Sequence, residues 1–578
     1  MMLNSFHDPE KVKAAAPIDT IARVREILYR LDVMVMEAFH ESVCGDATYS
    51  CTLELGDPPM NRRGMTVNGK GMTPRLAQAS AYGELMERMQ CGELPPPLLD
   101  DHSPDDAVLM SAQRYAAECP EELMHMFGLR DRTELAEFLH KTLDDEELCL
   151  VPFRSHGKKV LLPEDILRTL CGTTGLCAGN IPEEAILQGI MEAFERYAAK
   201  KIYMLSLTPP LIPAELFEGT TVLSRLRKLG MPFTIRDCSL GKKFPVIGLT
   251  IIRSDGKRAF RLGAAISPVT ALERCLTEIY QGSVDAIEER FFAEDALDES
   301  DEHARYQGYC SVLTVSGGPW PDAVFRTNGS YPFQGFGETE FSSWSQALMY
   351  YTELVRQWGS DIYVRAYDTL GFPAYRVYMP GFCEAFLNFT MSREDYCDWM
   401  RLRQLSKIVL RLPYASTESL MVLADAIAAA REALMPFYRE PLAVLNHPAM
   451  PRLEYSGVLL PLIMAAGGYY AQAADGMEEF LGTPESDTGP KLLWKAYASL
   501  CRSLAQGDTR STAQEQLQKT YGETLAERCI TALDDPSVMF PIESWPICSD
   551  CNRCHLRSRC AVNEMVRLRK KIRAGLPA

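Results

Sequence analysis

The sequence predicts an α+β domain with antiparallel sheets and three repeated carboxylate helices over residues 1–390. An all-helical, repeat-like region is expected over 391–540 and a cysteine-rich tail over 541–578. Three observations carry the prediction. One helix pattern recurs three times at the same spacing, a strand-like segment precedes each copy, and strand signals stop after Ser392, where helical periodicity takes over.

In chain order, the first helix is expected at 18–31, with apolar residues at helical spacing and Asp19 or Thr20 as its cap. Alternating stretches at 49–56, 64–71, 159–163, 244–254 and 257–267 read as strands, the last two joined by a turn at Asp255 and Gly256. DIYVRAYDTL and AYRVYMPG form the closing pair. Segments 95–150 and 283–345 are acidic, rich in turn residues, and read as helical or loop additions. Past Ser392, alanine-rich packing positions suit antiparallel helix pairs of the tetratricopeptide kind, either a cap on the first domain or a docking surface for a protein partner.

The repeated helix is clearest in GNIPEEAILQGIMEAFERYAAKKIY at 179–203. At about 100° per residue, Ile186, Leu187, Ile190, Met191, Phe194 and Tyr197 face one side, and Glu184, Gln188, Glu192 and Glu195 the other. Pro74, Ala77, Ser80, Glu84, Glu87 and Arg88 match the spacing of Pro182, Ala185, Gln188, Glu192, Glu195 and Arg196 without a gap. Pro268, Ala271, Arg274, Glu278 and Gln281 repeat it again. If the three helices converge, Glu84, Glu87, Glu192, Glu195 and Glu278 share a small volume, and close carboxylates stay ionised together only with cations between them. Magnesium takes one or two carboxylates and fills its octahedron with water and phosphate, so a nucleotide triphosphate is the expected ligand. Lys70, Arg88, Arg196 and Arg274 would face its phosphates.

Other classes fare worse. A net charge of −17 leaves no basic stripe for direct nucleic-acid binding. The N-terminal residues lack an apolar signal core, and GVLLPLIMAAGGYY is too short to span a bilayer, so no membrane segment is expected and the cytoplasm is the expected location. Gly256 and Lys257 are followed by Arg258, which fails as a P-loop, and the nine histidines form no metalloprotease arrangement.

The blocks NGKG at 68–71, SAYGELMER at 80–88, AGNIPEEAILQGIMEAFERY at 178–197, GAAISPVTALERCLTEIYQG at 263–282 and DTLGFPAYRVYMPG at 368–381 resemble the YcaO family, in that family's order. The resemblance implies a YcaO-type ATP-binding domain without a Walker motif, in which glutamates hold magnesium and a peptide backbone amide is activated by phosphorylating its oxygen. It implies nucleotide contacts from Lys13, Thr20, Lys70, Ser80, Asn180, Glu184, Gln188, Arg196, Arg274 and Gln281. The helical part resembles the long bacterial members, which implies an accessory role in methylthiolation of a ribosomal protein beside a radical-SAM methylthiotransferase; a homodimer is admissible. Cyclodehydration or thioamidation of a precursor peptide is the alternative, although the AGLPA end does not resemble the proline-rich tail of azoline-forming members. A non-catalytic, nucleotide-sensing adaptor for a radical-SAM partner is the reading from another class.

Eighteen cysteines without a signal sequence suggest free thiols and one metal site. Cys548, Cys551, Cys554 and Cys560, with His555 beside them, have spacing suited to tetrahedral zinc or an iron–sulfur cluster.

Overall fold

A computed structural model of the chain describes residues 13–40, 47–55, 66–94, 106–119, 131–143, 147–314, 317–337, 340–385, 415–433, 456–483, 490–539 and 561–576, with a few isolated positions between them. Alternating sequence makes antiparallel hairpins, and these assemble into three sheets. The first orders Val35–His40, Tyr49–Leu55 and Thr66–Gly71. The second orders Arg258–Ala264, Val246–Ile252, Phe233–Asp237 and Leu211–Ile212. The third orders Val108–Met110, Leu148–Ser155, Tyr363–Ala366, Ala374–Tyr378 and Leu176–Ala178, with Lys158–Pro163 paired to Leu148–Ser155.

Each sheet has an edge strand that runs directly into a proline-started helix. Thr66–Gly71 leads to Pro74–Gln90, Leu176–Ala178 to Pro182–Met204, and Arg258–Ala264 to Pro268–Ile279. Proline suits the first turn because its missing N–H would have no intrahelical partner there. Thr73 adds a cap by accepting from the Leu76 N–H at 3.2 Å. Thr73→Ala is expected to lower stability by about 1 kcal/mol, read as a shift of the denaturant midpoint at unchanged slope.

Several expectations change at this level. The first helix, Pro17–Arg30, has Ala16 at its N-cap with no side-chain bond, so neither Asp19 nor Thr20 caps it. Thr20 sits inside the first turn, its hydroxyl directed to the Ala16 carbonyl at 3.3 Å and to Asn180 at 3.0 Å. Segment 95–150 is more than helix and loop, since Val108–Met110 and the start of Leu148–Ser155 belong to the large sheet. The third repeated helix stops at Ile279, leaving Gln281 beyond its end. The turn at Asp255 and Gly256 forms as expected: Ile252 pairs with Arg258 across it, and Gly256 takes φ of 82°.

Among the described residues past 391 there are helices and no strands, including Thr417–Ala433, Ser456–Ala466, Tyr470–Leu481, Lys491–Ala505 and Arg510–Tyr521. Their apolar faces join one continuous core that runs from Trp494 and Tyr497 to Phe194 and Ile202 of the Pro182 helix. There Phe194 stacks on Phe244 at 4.6 Å between ring centroids and meets Phe382 edge-on. The helix Ala561–Ala574 returns to the helices Pro17–Arg30 and Pro74–Gln90, burying Met565, Leu568 and Ile572 with Ile21, Leu28 and Leu85. Lys571 donates to the Leu31 carbonyl at 2.8 Å and Arg569 to that of Gly92 at 3.0 Å. No described helix is long and apolar enough to cross a membrane.

Candidate functional site

The three helices lie close to their strands because glycines let the backbones touch. A Cβ on Gly69 would fall 2.1 Å from the Ala77 carbonyl oxygen, and one on Gly263 would fall 2.3 Å from that of Ala271. Lys70 is thereby brought against the helix faces that carry the glutamates. Between the helices opens a cavity of about 1040 Å³.

Every residue singled out for nucleotide or magnesium lines this one cavity, from Lys13 and Thr20 through Lys70, Ser80, Glu84 and Glu87 to Glu278 and Gln281. At one corner the Glu184 carboxylate accepts from the Asn180 N–H at 2.8 Å, with the Lys13 ammonium 4.0 Å away. The hydroxyl of Thr20 meets the Asn180 side-chain oxygen there at 3.0 Å. Arg274 bonds Gln188, and Gln281 donates to the Asn68 carbonyl at 3.0 Å. Ser80 lies on the Pro74 helix one turn before Glu84.

The carboxylates are interleaved with cations. Arg88 reaches Glu84 and Glu87, each at 3.5 Å; Arg196 stands 3.8 Å from Glu192; Lys70 pairs with Glu278. Glu192 also accepts from the Gly175 N–H and Glu195 from the Ala264 N–H, both at 3.1 Å. Among the described residues no three Asp, Glu, His or Cys side chains converge on one point. No three-ligand group is therefore preformed among them, although Glu84, Glu87 and Glu192 lie close enough to act on one another. The arrangement remains compatible with magnesium, which asks only one or two carboxylates of the protein.

Burial sets the electrostatics. It pushes Glu87 up to about 8, opposed by Arg88 and reinforced by Glu192 and Glu84. It also raises Glu195 and draws Lys70 down to about 8. Burial would lower Arg88, but Glu87, Glu84 and Glu192 outweigh it and raise that guanidinium. A protonated buried glutamate beside others is a site that a divalent cation would relieve, and the arginines suit a triphosphate, so the donor set fits both groups. Cys177 and Cys275 are fully buried, and burial holds both thiols well above their usual range, so neither is an activated nucleophile.

Some contacts had no sequence signal. Arg23 donates to the Asn180 carbonyl at 3.0 Å and to that of Gly371, and lies 5.0 Å from the Phe372 ring centroid. Gln90 donates to the Phe372 carbonyl at 2.7 Å and accepts from the Leu370 N–H at 2.9 Å. The loop at 370–372 thus ties the Pro74 helix to the Asn180 corner. These partners are hundreds of positions apart, beyond the reach of periodicity. Arg376 is buried with its guanidinium 3.8 Å from Glu93, outside the cavity lining.

Cys548, Cys551, Cys560 and His555 lie outside the described residues, and Cys554 is half-buried. No metal-holding cluster occurs among the described residues, so the zinc or iron–sulfur expectation gains no support.

Comparison with known proteins bears on the same stretch. The family model described as YcaO cyclodehydratase, ATP- and Mg2+-binding, matches residues 68–383. The ribosomal protein S12 methylthiotransferase accessory factor YcaO of Escherichia coli (strain K12) is 28% identical over 353 residues, covering 55% of this chain and 57% of that protein. An uncharacterized protein of Haemophilus influenzae is 27% identical over 350 residues with the same coverage. The chain thus spans 57% of the length of these curated relatives. Among solved structures, YcaO from Methanopyrus kandleri bound with AMPPCP and Mg2+ gives a TM-score of 0.39 at 17% identity, covering 64% of this chain and 92% of that one. A heterocyclase in complex with substrate and cofactor gives 0.47 at 17% identity, covering 66% and 53%. The family match holds all three proline-started helices and more than half of the sequence, and by it the chain belongs to the YcaO family, whose model is ATP- and Mg2+-binding.

Proposed function

We propose that the chain is an enzyme that binds ATP with magnesium in this cavity and phosphorylates the oxygen of a peptide backbone amide. The observation that carries the reading is the convergence of glutamates and arginines from three separate helices, and of Lys70 from a strand, on one cavity of about 1040 Å³. Glu84, Glu87, Glu192, Glu195 and Glu278 are the proposed magnesium ligands. Lys70, Arg88, Arg196 and Arg274 offset the triphosphate charge. Lys13, Thr20, Asn180 and Glu184 form the corner that orients the rest of the nucleotide, with Ser80, Gln188 and Gln281 along the wall. Bound there, ATP supplies the phosphoryl group that turns a poor leaving oxygen into phosphate. The chain's own part is positioning and charge compensation, consistent with a lining that has no activated thiol.

The task we favour is accessory to ribosomal protein methylthiolation, with a radical-SAM enzyme as partner; the name of the Escherichia coli relative supports it. Cyclodehydration or thioamidation of a precursor peptide uses the same amide step. A substrate whose amide carries heavy oxygen is expected to deliver the label into inorganic phosphate in step with ADP formation. Unlabelled phosphate, with that oxygen lost from the peptide, would rule the mechanism out. Tight ATP binding without turnover for any partner mixture would favour the adaptor.

A further inference from the structure

One carboxylate of the cavity lining has no part in the foregoing. Glu273 is 6% exposed on the Pro268 helix and lines the cavity. The spacing that relates the three helices places Ala79 and Leu187 at its position, neither of them charged. Each other lining glutamate rests on a partner: Glu84 and Glu87 on Arg88, Glu184 on Asn180, Glu192 on Arg196, Glu195 on a backbone N–H and Glu278 on Lys70. Among the described residues Glu273 makes no hydrogen bond and no ion pair. A buried acid without a partner is uncommon, since it gives up water for nothing in return.

The surroundings explain why it stays unpaired. Arg225, from the helix Thr221–Lys228, is the cation whose charge it feels, and that guanidinium is held away by Nη1, which donates to the carbonyls of Ala47 and Met72, both at 2.6 Å. Arg274, next to it on its own helix, is held by Gln188, and Lys70 by Glu278. Burial pushes the Glu273 carboxyl up to about 7, with Arg225 opposing. Around the helix Glu273 stands about 140° from Glu278, so it is off the stripe assigned to magnesium. Thr270 and Thr277, one turn to either side, also line the cavity and are uncharged. The volume, about 1040 Å³, lies at the top of the roughly 300–1,000 Å³ that single-ligand sites occupy, which leaves room for a second reactant.

We propose that Glu273 is a further catalytic residue of the peptide side of this cavity, the group that takes the proton of the nucleophile adding to the substrate amide. The inference rests on the amide-activation reading. The nucleophile is a thiol, a hydroxyl or hydrosulfide. Its lone pair forms the bond to the carbonyl carbon while its proton passes to the Glu273 carboxylate. The carbon–oxygen π pair moves to the oxygen, which bonds to the γ-phosphorus of ATP as the bond to ADP breaks; the nitrogen lone pair then expels that oxygen as phosphate, for a thiol or hydroxyl the iminium N–H proton follows to solvent, and Glu273 returns its own proton to solvent. A carboxyl that titrates near neutrality is suited to that exchange, because both protonation states are populated.

The test uses the full-length protein and a carbodiimide, which adds to carboxyl groups that are protonated and reachable from the cavity. At about pH 6, below the raised value, mass spectrometry is expected to find an adduct on Glu273 that persists under saturating magnesium and ATP. No adduct there, or complete protection by the nucleotide, overturns the proposal, since the carboxyl would then be closed off or on the nucleotide side. Stability gives a second readout. The folded state favours protonated Glu273, so the cost of its charge grows as pH rises from the ordinary carboxyl range to about 7 and is full above that. Glu273→Gln is therefore expected to raise the melting temperature at about pH 8 and to leave it unchanged near pH 4. A lowered melting temperature that Glu273→Asp restores would mark a structural role and overturn the proposal. In the source organism, Glu273→Gln is expected to reduce by roughly a hundredfold or more any peptide modification that disappears on deletion of the gene. Modification lost in the deletion but intact in Glu273→Gln sinks this proposal alone, whereas a deletion that loses none sinks the amide-activation reading with it.

Discussion

Glu192→Gln and Glu84→Gln are each expected to weaken binding of ATP with magnesium by roughly a hundredfold or more, while the ligand-free melting temperature stays where it is. The two effects separate because the charges do different work in the two states. Without ligand, Glu192 and Glu84 stand among other carboxylates, and their charge helps to raise Glu87 to about 8. Neutralising either one relieves that repulsion, and the glutamine at 192 can still accept from the Gly175 N–H. With ligand, each lost carboxylate leaves a divalent cation and its triphosphate short of a hard oxygen donor. Titration calorimetry beside thermal melts would read both, and wild-type affinity in both variants would remove the triphosphate assignment.

Gly69→Ala and Gly263→Ala are each expected to cost about 3 kcal/mol, the second large effect. The added carbon at 69 meets the Ala77 carbonyl oxygen at 2.1 Å and the Ala81 nitrogen at 2.2 Å. At 263 it meets the Ala271 oxygen at 2.3 Å. These are backbone atoms and cannot swing aside, so strand and helix must separate, carrying Lys70 away from Glu278. Gly83→Ala is the contrast, since nothing lies within 4 Å of the added carbon. Alanine there should raise ligand-free stability by up to about 1 kcal/mol through helix propensity. Chemical denaturation of the three variants would order them, and a Gly69→Ala protein as stable as wild type would contradict the close approach.

Much of this site could be read from spacing. The shared offsets of Glu84 and Glu192, and of Ser80 and Gln188, place side chains on one helix face, and a face is a local property of 3.6-residue geometry. The hairpin at Asp255 and Gly256 was legible for the same reason, because turn chemistry is local. What failed was longer in range. Thr20 looked like a cap because hydroxyls favour helix ends, but its partner is Asn180, 160 positions away. Gln281 fitted the pattern, yet the helix stops at Ile279. Val35–His40 and Phe233–Asp237 are too short to stand out and are strands because a neighbour pairs with them. Glu273 escaped notice because the pattern that found its neighbours assigns apolar residues to its position.

The return of the helix Ala561–Ala574 to the helices Pro17–Arg30 and Pro74–Gln90 also fixes an order of events. Its Lys571 bonds the carbonyl of Leu31, a contact between residues 540 positions apart. Until the ribosome has released that helix, the apolar faces of Pro17–Arg30 and Pro74–Gln90 that Met565, Leu568 and Ile572 cover are left open. These early-made faces are therefore sealed late, and during synthesis they are an apolar patch open to a chaperone.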